Sequence, residues 1–202
     1  SEEENIMDQA IGSKIADYLI KPVLPTQMLL SIKKTLHARE ITQQQQTSGY
    51  QQEFGRLSIA IDNARNFADW VEVYKKIVHW ELELTDSNDT NLSSMLLLQK
   101  QDANAAFAKF IRRNYKDWIQ QILRHDHSEE RPLMSPDLFR KVVFPEIDKG
   151  EKLFFIVIDN LRLDQWRVIQ PILSQYFTCH EDIYCSILPT ATQYSRNAIF
   201  SG

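Results

Sequence analysis

Between Pro25 and Pro132 the chain carries no proline, and between Gly55 and Gly150 no glycine. These residues are the strongest breakers of regular structure, so a long stretch without them and without sustained period-two alternation predicts helices. Asp69-Trp70-Val71-Glu72 reads as a capping box, with Asp69 accepting from first-turn N–H groups and Glu72 reaching back. From there Trp70, Tyr74, Ile77, Trp80 and Leu84 recur at helical spacing until Asp86-Ser87-Asn88-Asp89 interrupts them. A second stripe follows at Leu92, Met95, Leu96, Ala103, Ala106, Phe107, Phe110, Ile111, Trp118 and Ile122. With a helical segment over 51–67, these predict a small antiparallel bundle whose aromatic residues form the core. Gln43-Gln44-Gln45-Gln46 followed by Thr47-Ser48-Gly49 reads as a helix end and a linker.

The flanks differ in character. Near the start, Ala16 to Ile20 is a short apolar run closed by Lys21-Pro22, with helical sequence on both sides at 2–13 and 26–39. One strand cannot bury two helices, so the expectation is that the chain begins inside an α/β domain. Near the end, Ser135-Pro136 reads as a helix start with Ser135 as the cap, and Gly150 closes that region. Leu153 to Ile158 is a run of six apolar residues, the pattern of a strand buried on both faces in a parallel sheet. Asp159-Asn160 ends it, and 161–173 carries a helical pattern. Residues 182–188 form a second candidate strand that leads through Pro189-Thr190-Ala191-Thr192 into a helix. A carboxylate at the end of a buried strand lies where open α/β sheets bind ligands, although Asp159 could equally cap the next helix. A hydroxyl near a helix amino end, as at Thr192, meets N–H groups that favour phosphate.

Composition narrows the possibilities. The net charge is −4, and Lys+Arg against Asp+Glu is 5 to 6 over 1–40, 14 to 16 over 41–150 and 4 to 5 over 151–202. No segment has the basic excess that duplex nucleic acid or an anionic membrane demands. No run of about 18 apolar residues exists, so no membrane span is predicted. The acidic start Ser1-Glu2-Glu3-Glu4 is unlike a signal peptide, and Cys179 and Cys185 make no disulfide framework, so the expected compartment is the cytoplasm. His125-Asp126-His127 has ligand types but i, i+2 spacing, which in a helix points to different sides; it reads as an exposed loop.

Ala16-Asp17-Tyr18-Leu19-Ile20-Lys21-Pro22 resembles the end of a two-component receiver domain. The resemblance implies that Lys21 contacts the phosphoryl group on an upstream aspartate and that Tyr18 is the switch aromatic. It further implies magnesium for the receiver, a sensor histidine kinase as partner and a homodimer through the receiver. A lysine at a strand's carboxyl edge suits the first role, because it offers a point charge to an acyl phosphate.

Phe155-Ile156-Val157-Ile158-Asp159-Asn160-Leu161-Arg162 and the stretch from Leu188 to Gly202 resemble the PglZ branch of the alkaline phosphatase superfamily. That family binds two zinc ions. The resemblance assigns Asp159 to one of them and makes Thr192 both a metal ligand and the nucleophile. Thr192 is preferred to Thr190 because related phosphodiesterases place the nucleophile ten positions before the closing glycine, here Gly202. Arg162, Arg196 and Asn197 are candidates for steadying phosphate. Asp164, His180, Glu181 and Asp182 do not match the family's ligand pattern.

The order of parts resembles the PorX-like response regulators of the type IX secretion pathway. The expected fold class is mixed: an α/β receiver remnant (1–40), a central all-α helical bundle (41–147), and the N-terminal part of an α/β alkaline-phosphatase-like PglZ domain (148–202). The family's remaining zinc ligands are expected downstream of Gly202, so the chain by itself is expected to be inactive. The implied activity is zinc-dependent cleavage of a phosphodiester of nucleotide origin. The alternative is a non-catalytic signalling adaptor that uses the PglZ fold for docking.

Overall fold

A computed structural model of the chain describes residues 19, 21–85, 89–124, 131–150 and 152–201. Tyr18, the 2–13 helix and the His125-Asp126-His127 loop lie outside them. The chain divides into two compact units, 1–53 and 54–202.

In the first unit a helix, α1 (Pro25–Asn63), begins at a proline, whose fixed φ suits a first helical position. Just before it, the Leu24 N–H donates to Gln27 Oε1 (3.3 Å). The helix continues unbroken through 43–49, where a linker was expected. Glutamine is a fair helix former, and one glycine inside a long helix costs only about 1 kcal/mol. The boundary between the units falls inside α1.

The second unit contains the end of α1 with α2 (Phe67–Glu83) and α3 (Thr90–Leu123). Most of the predicted stripe positions face inward: Trp70, Ile77, Ala103, Phe110 and Trp118 make one core with Leu57, Ile61 and Val73, whereas Tyr74 is exposed. Trp70 lies against Phe107 and Phe110 (ring centroids 5.4 and 6.1 Å), and Phe110 meets Trp118 edge-on at 5.7 Å. Gln99 is buried on α3, its Nε2 donating to the Phe54 carbonyl (2.9 Å) and to Ser58 Oγ (2.8 Å). The cap of α2 differs from expectation by three residues. Asn66 is the N-cap: its Oδ1 accepts from the Asp69 N–H (2.9 Å), and Asp69 Oδ2 accepts from the Asn66 N–H (3.2 Å). Asp69 is thus the returning acid of the box rather than its start. Asp89 caps α3, accepting from the N–H groups of Asn91 and Leu92.

After the bundle the chain makes a 3-10 turn (Ser135–Asp137), a π-helical turn (Phe139–Val143) and α4 (Phe144–Asp148). Gly150 follows with φ +80, a left-handed conformation that favours glycine. Two short helices complete the unit, α5 (Leu163–Leu173), which packs on α2, and α6 (Thr192–Ile199), which packs on the 3-10 turn.

The expected parallel sheet is not formed among the described residues. Residues 153–158 carry no regular secondary structure, with Phe154 90%, Ile156 78% and Ile158 63% exposed. The apolar run has the composition of a buried strand, but a strand exists only through hydrogen bonds to neighbours. Over 182–188 the pairing reduces to one parallel bridge, Met134 with Cys185. The described structure is therefore mostly helical.

Candidate functional site

The residues singled out from the last third of the sequence sit on two segments. Asp159 follows the 153–158 run in a turn, exposed, and is followed by Asn160 at φ 59. Thr192 is the first residue of α6 and is exposed. Its N-cap is Ala191, whose methyl group cannot accept a hydrogen bond, so no side chain caps the first-turn N–H groups. Such a terminus suits an anion. Arg196 lies one turn along α6 from Thr192, hence on the same face, with Asn197 beside it; both are exposed.

An aromatic cluster holds these segments to a common support. Phe139 on the π-helical turn packs at a tilt against Phe155 (5.0 Å) and Phe200 (5.1 Å), which meet each other edge-on at 5.9 Å. Phe155 lies four residues before Asp159, and Phe200 is the C-cap of α6. One ring on the support therefore touches both arms of the candidate site.

The segment before α6 is fastened to the bundle. The Cys185 N–H donates to the Leu133 carbonyl (2.8 Å), the Ile187 N–H to Ser135 Oγ (3.2 Å) and the Leu188 N–H to Tyr115 Oη (2.6 Å). Ser135 and Met134 are fully buried. Ser135 was expected to cap a helix, yet its hydroxyl serves this distant contact, while the turn is closed by Asp137, which accepts from the Met134 N–H (2.9 Å). Asp137 also takes a two-pronged contact from Arg131, the side chains being 9% and 5% exposed. Burial pushes the Asp137 pKa up, but the bonds from Arg131 and Met134 outweigh it and hold the carboxyl below its ordinary value. None of Tyr115, Ser135, Arg131 and Asp137 carried a sequence signal for this role. Their partners lie 52 and 73 residues away or depend on burial.

Arg162 forms an ion pair with Asp164 through Nε (2.9 Å) and a second nitrogen, which raises the arginine's pKa and lowers the acid's. Glu181 accepts from Arg167 (2.8 Å) and lies 4.0 Å from Lys75 Nζ. Glu181 lines a shallow cleft of about 390 Å³ together with Tyr74, Trp166, His180 and Asp182. Lys21 is exposed at a bend in the first unit. Among the described residues no group of three or more His, Cys, Asp or Glu side chains could hold a metal. A catalytic zinc takes three protein ligands, so Asp159 and Thr192 do not complete a zinc site with the described residues. No described helix is long and apolar enough to cross a membrane.

Comparison with known families gives two matches. Residues 40–119 match the PorX response regulator linker domain, and residues 138–202 match the BREX system PglZ alkaline phosphatase-like domain. In kind and order these are the parts of a PorX-like response regulator, and they indicate a response regulator with a PglZ-type output domain. No curated protein matches the chain.

Proposed function

We propose that this PorX-like chain belongs to a response regulator whose output domain cleaves a phosphodiester, with Thr192 as the attacking hydroxyl. The observation that carries the reading is the position of Thr192: exposed, first in a helix without a side-chain cap, inside the segment that matches a PglZ domain. Thr192 Oγ attacks phosphorus and loses its proton to solvent. The bond to the leaving alkoxide breaks, the alkoxide takes up a proton, and water later cleaves the phosphothreonine. Developing charge on the phosphoryl oxygens falls where the α6 N–H groups and, one turn on, Arg196 favour it; Asn197 is the neighbouring donor.

Zinc dependence is part of the proposal, with Asp159 and Thr192 as the contributing ligands here. A bound zinc would supply Lewis-acid stabilisation, and the described residues leave its further ligands unassigned. The proposed substrate is nucleotide-derived. A sensor histidine kinase is the proposed partner, acting through Lys21, Tyr18 and magnesium at a receiver that also serves as a dimer interface.

The test is turnover of bis(nitrophenyl) phosphate by the full-length protein at matched zinc content. Thr192→Ala is expected to reduce turnover by several orders of magnitude, as removal of a covalent nucleophile does. Thr190→Ala should cost far less, and Asp159→Asn should lower zinc content as well as rate. Loss with Thr190→Ala but not with Thr192→Ala would move the nucleophile by two residues. If Asp159→Asn alone mattered, direct attack by water would replace the covalent route. Absence of turnover in the unmodified protein would favour the adaptor reading.

A further inference from the structure

We propose that the helical bundle sets the position of the α6 amino terminus through two long-range hydrogen bonds, with Tyr115 and Ser135 as positioning residues. The inference rests on the reading of Thr192 only for its catalytic consequence.

Residues 185–188 are held at three successive points. Cys185 bridges to the 133–134 segment, Ile187 donates to Ser135 Oγ and Leu188 donates to Tyr115 Oη. Tyr115 is on α3, where it packs against the bundle core beside Ile111, Trp118 and Ile119. Its ring is partly buried by that packing, which positions its hydroxyl as the acceptor. Ser135 is fully buried on a turn closed by the Arg131–Asp137 pair, so its hydroxyl is fixed as well. Only Pro189, Thr190 and Ala191 separate Leu188 from Thr192. A shift of α3 therefore reaches the first turn of α6 through a short tether rather than through a flexible loop. The last of the three contacts, at Leu188, joins residues matched to the linker family with residues matched to the PglZ family. The bundle is thus in a position to act on the output domain's candidate site.

The experiment is residue-resolved amide hydrogen exchange on the full-length protein, comparing Tyr115→Phe and Ser135→Ala with the unmodified chain. Tyr115→Phe keeps the ring and removes only the oxygen. It is expected to speed exchange at Leu188 about tenfold, the scale of one hydrogen bond. The same variant should speed exchange at Tyr194 and Ser195, whose N–H groups close the first turn of α6 on the Ala191 carbonyl (2.9 and 3.0 Å). Ser135→Ala should do the same for Ile187 and the α6 turn. Exchange in α2 and in the 96–110 part of α3 should stay unchanged in both variants, which reports that the bundle is intact. Unchanged exchange at Leu188 in Tyr115→Phe overturns the proposal. Faster exchange at Leu188 with none at Tyr194 and Ser195 overturns it too, because the contact would then fasten the loop without setting the helix. In turnover, kcat should fall about tenfold with KM within about twofold; a rise in KM alone would also overturn it. If the unmodified protein shows no turnover, the role of Thr192 fails and the exchange results still decide the proposal.

Discussion

The substitution Asp137→Asn tests the support beneath the candidate site. The carboxylate is 9% exposed, its Arg131 partner 5%, and it accepts from two guanidinium nitrogens and from the Met134 N–H. An asparagine there would keep the volume and one acceptor for Met134, but it sets an amide N–H₂ against a guanidinium that only donates. Breaking a buried pair by altering one member costs about 3–5 kcal/mol, a large share of the roughly 5–15 kcal/mol that holds a domain together. For a chain of this size that corresponds to a Tm lowered by roughly 6–20 °C. The pH dependence has a definite sign. The Asp137 pKa is depressed in the fold, so its stabilisation is fully present above the unfolded value of about 3.9 and is lost as pH falls through the lower folded value. The asparagine amide does not titrate, so the gap between the two proteins should be widest at neutral pH and narrow once pH drops below about 4. Urea unfolding followed by far-UV circular dichroism, at pH 7 and in steps toward pH 3, measures it. A difference under about 1 kcal/mol at pH 7, or a gap that stays constant in acid, would refute the reasoning.

Two further outcomes follow from burial. Cys185 is 8% exposed and its thiol is pushed up to about 11 by burial, so an alkylating reagent at pH 8 should label Cys179 in the folded protein and Cys185 only in denaturant. Equal native rates would mean that the 185–188 segment is not held against the bundle. In the first unit Leu29, Leu30, Ile32 and Leu36 are 57%, 66%, 53% and 56% exposed along α1, an apolar face of the kind that drives association. Sedimentation should show concentration-dependent self-association that is lost in a chain beginning at Gln51; two clean monomers would contradict it.

Local features were legible before any packing is considered. Most of the stripes Trp70 to Leu84 and Leu92 to Ile122 lie on the inward faces of α2 and α3, Tyr74 being exposed, because helical periodicity depends only on residues three and four apart. The start of α2 was legible as a capping box, but its register was not: Asn66 and Asp69 can each cap, and the fold chose Asn66. The 43–49 stretch has the composition of a linker yet is helical, because glutamine and serine are compatible with both. Thr192 was expected at a helix start and opens α6, whereas the strand expected to end at Asp159 is not formed among the described residues. What supports them emerges only in three dimensions. Phe139 gathers Phe155 and Phe200, and Tyr115 and Ser135 hold the Leu188 and Ile187 amides across 73 and 52 residues. The same holds for 153–158, whose composition announces a strand while its pairing depends on neighbours far away in the chain. Periodicity is a property of adjacent turns, whereas a hydrogen bond between distant residues exists only after packing has brought its two ends together, and no spacing in the sequence encodes that meeting.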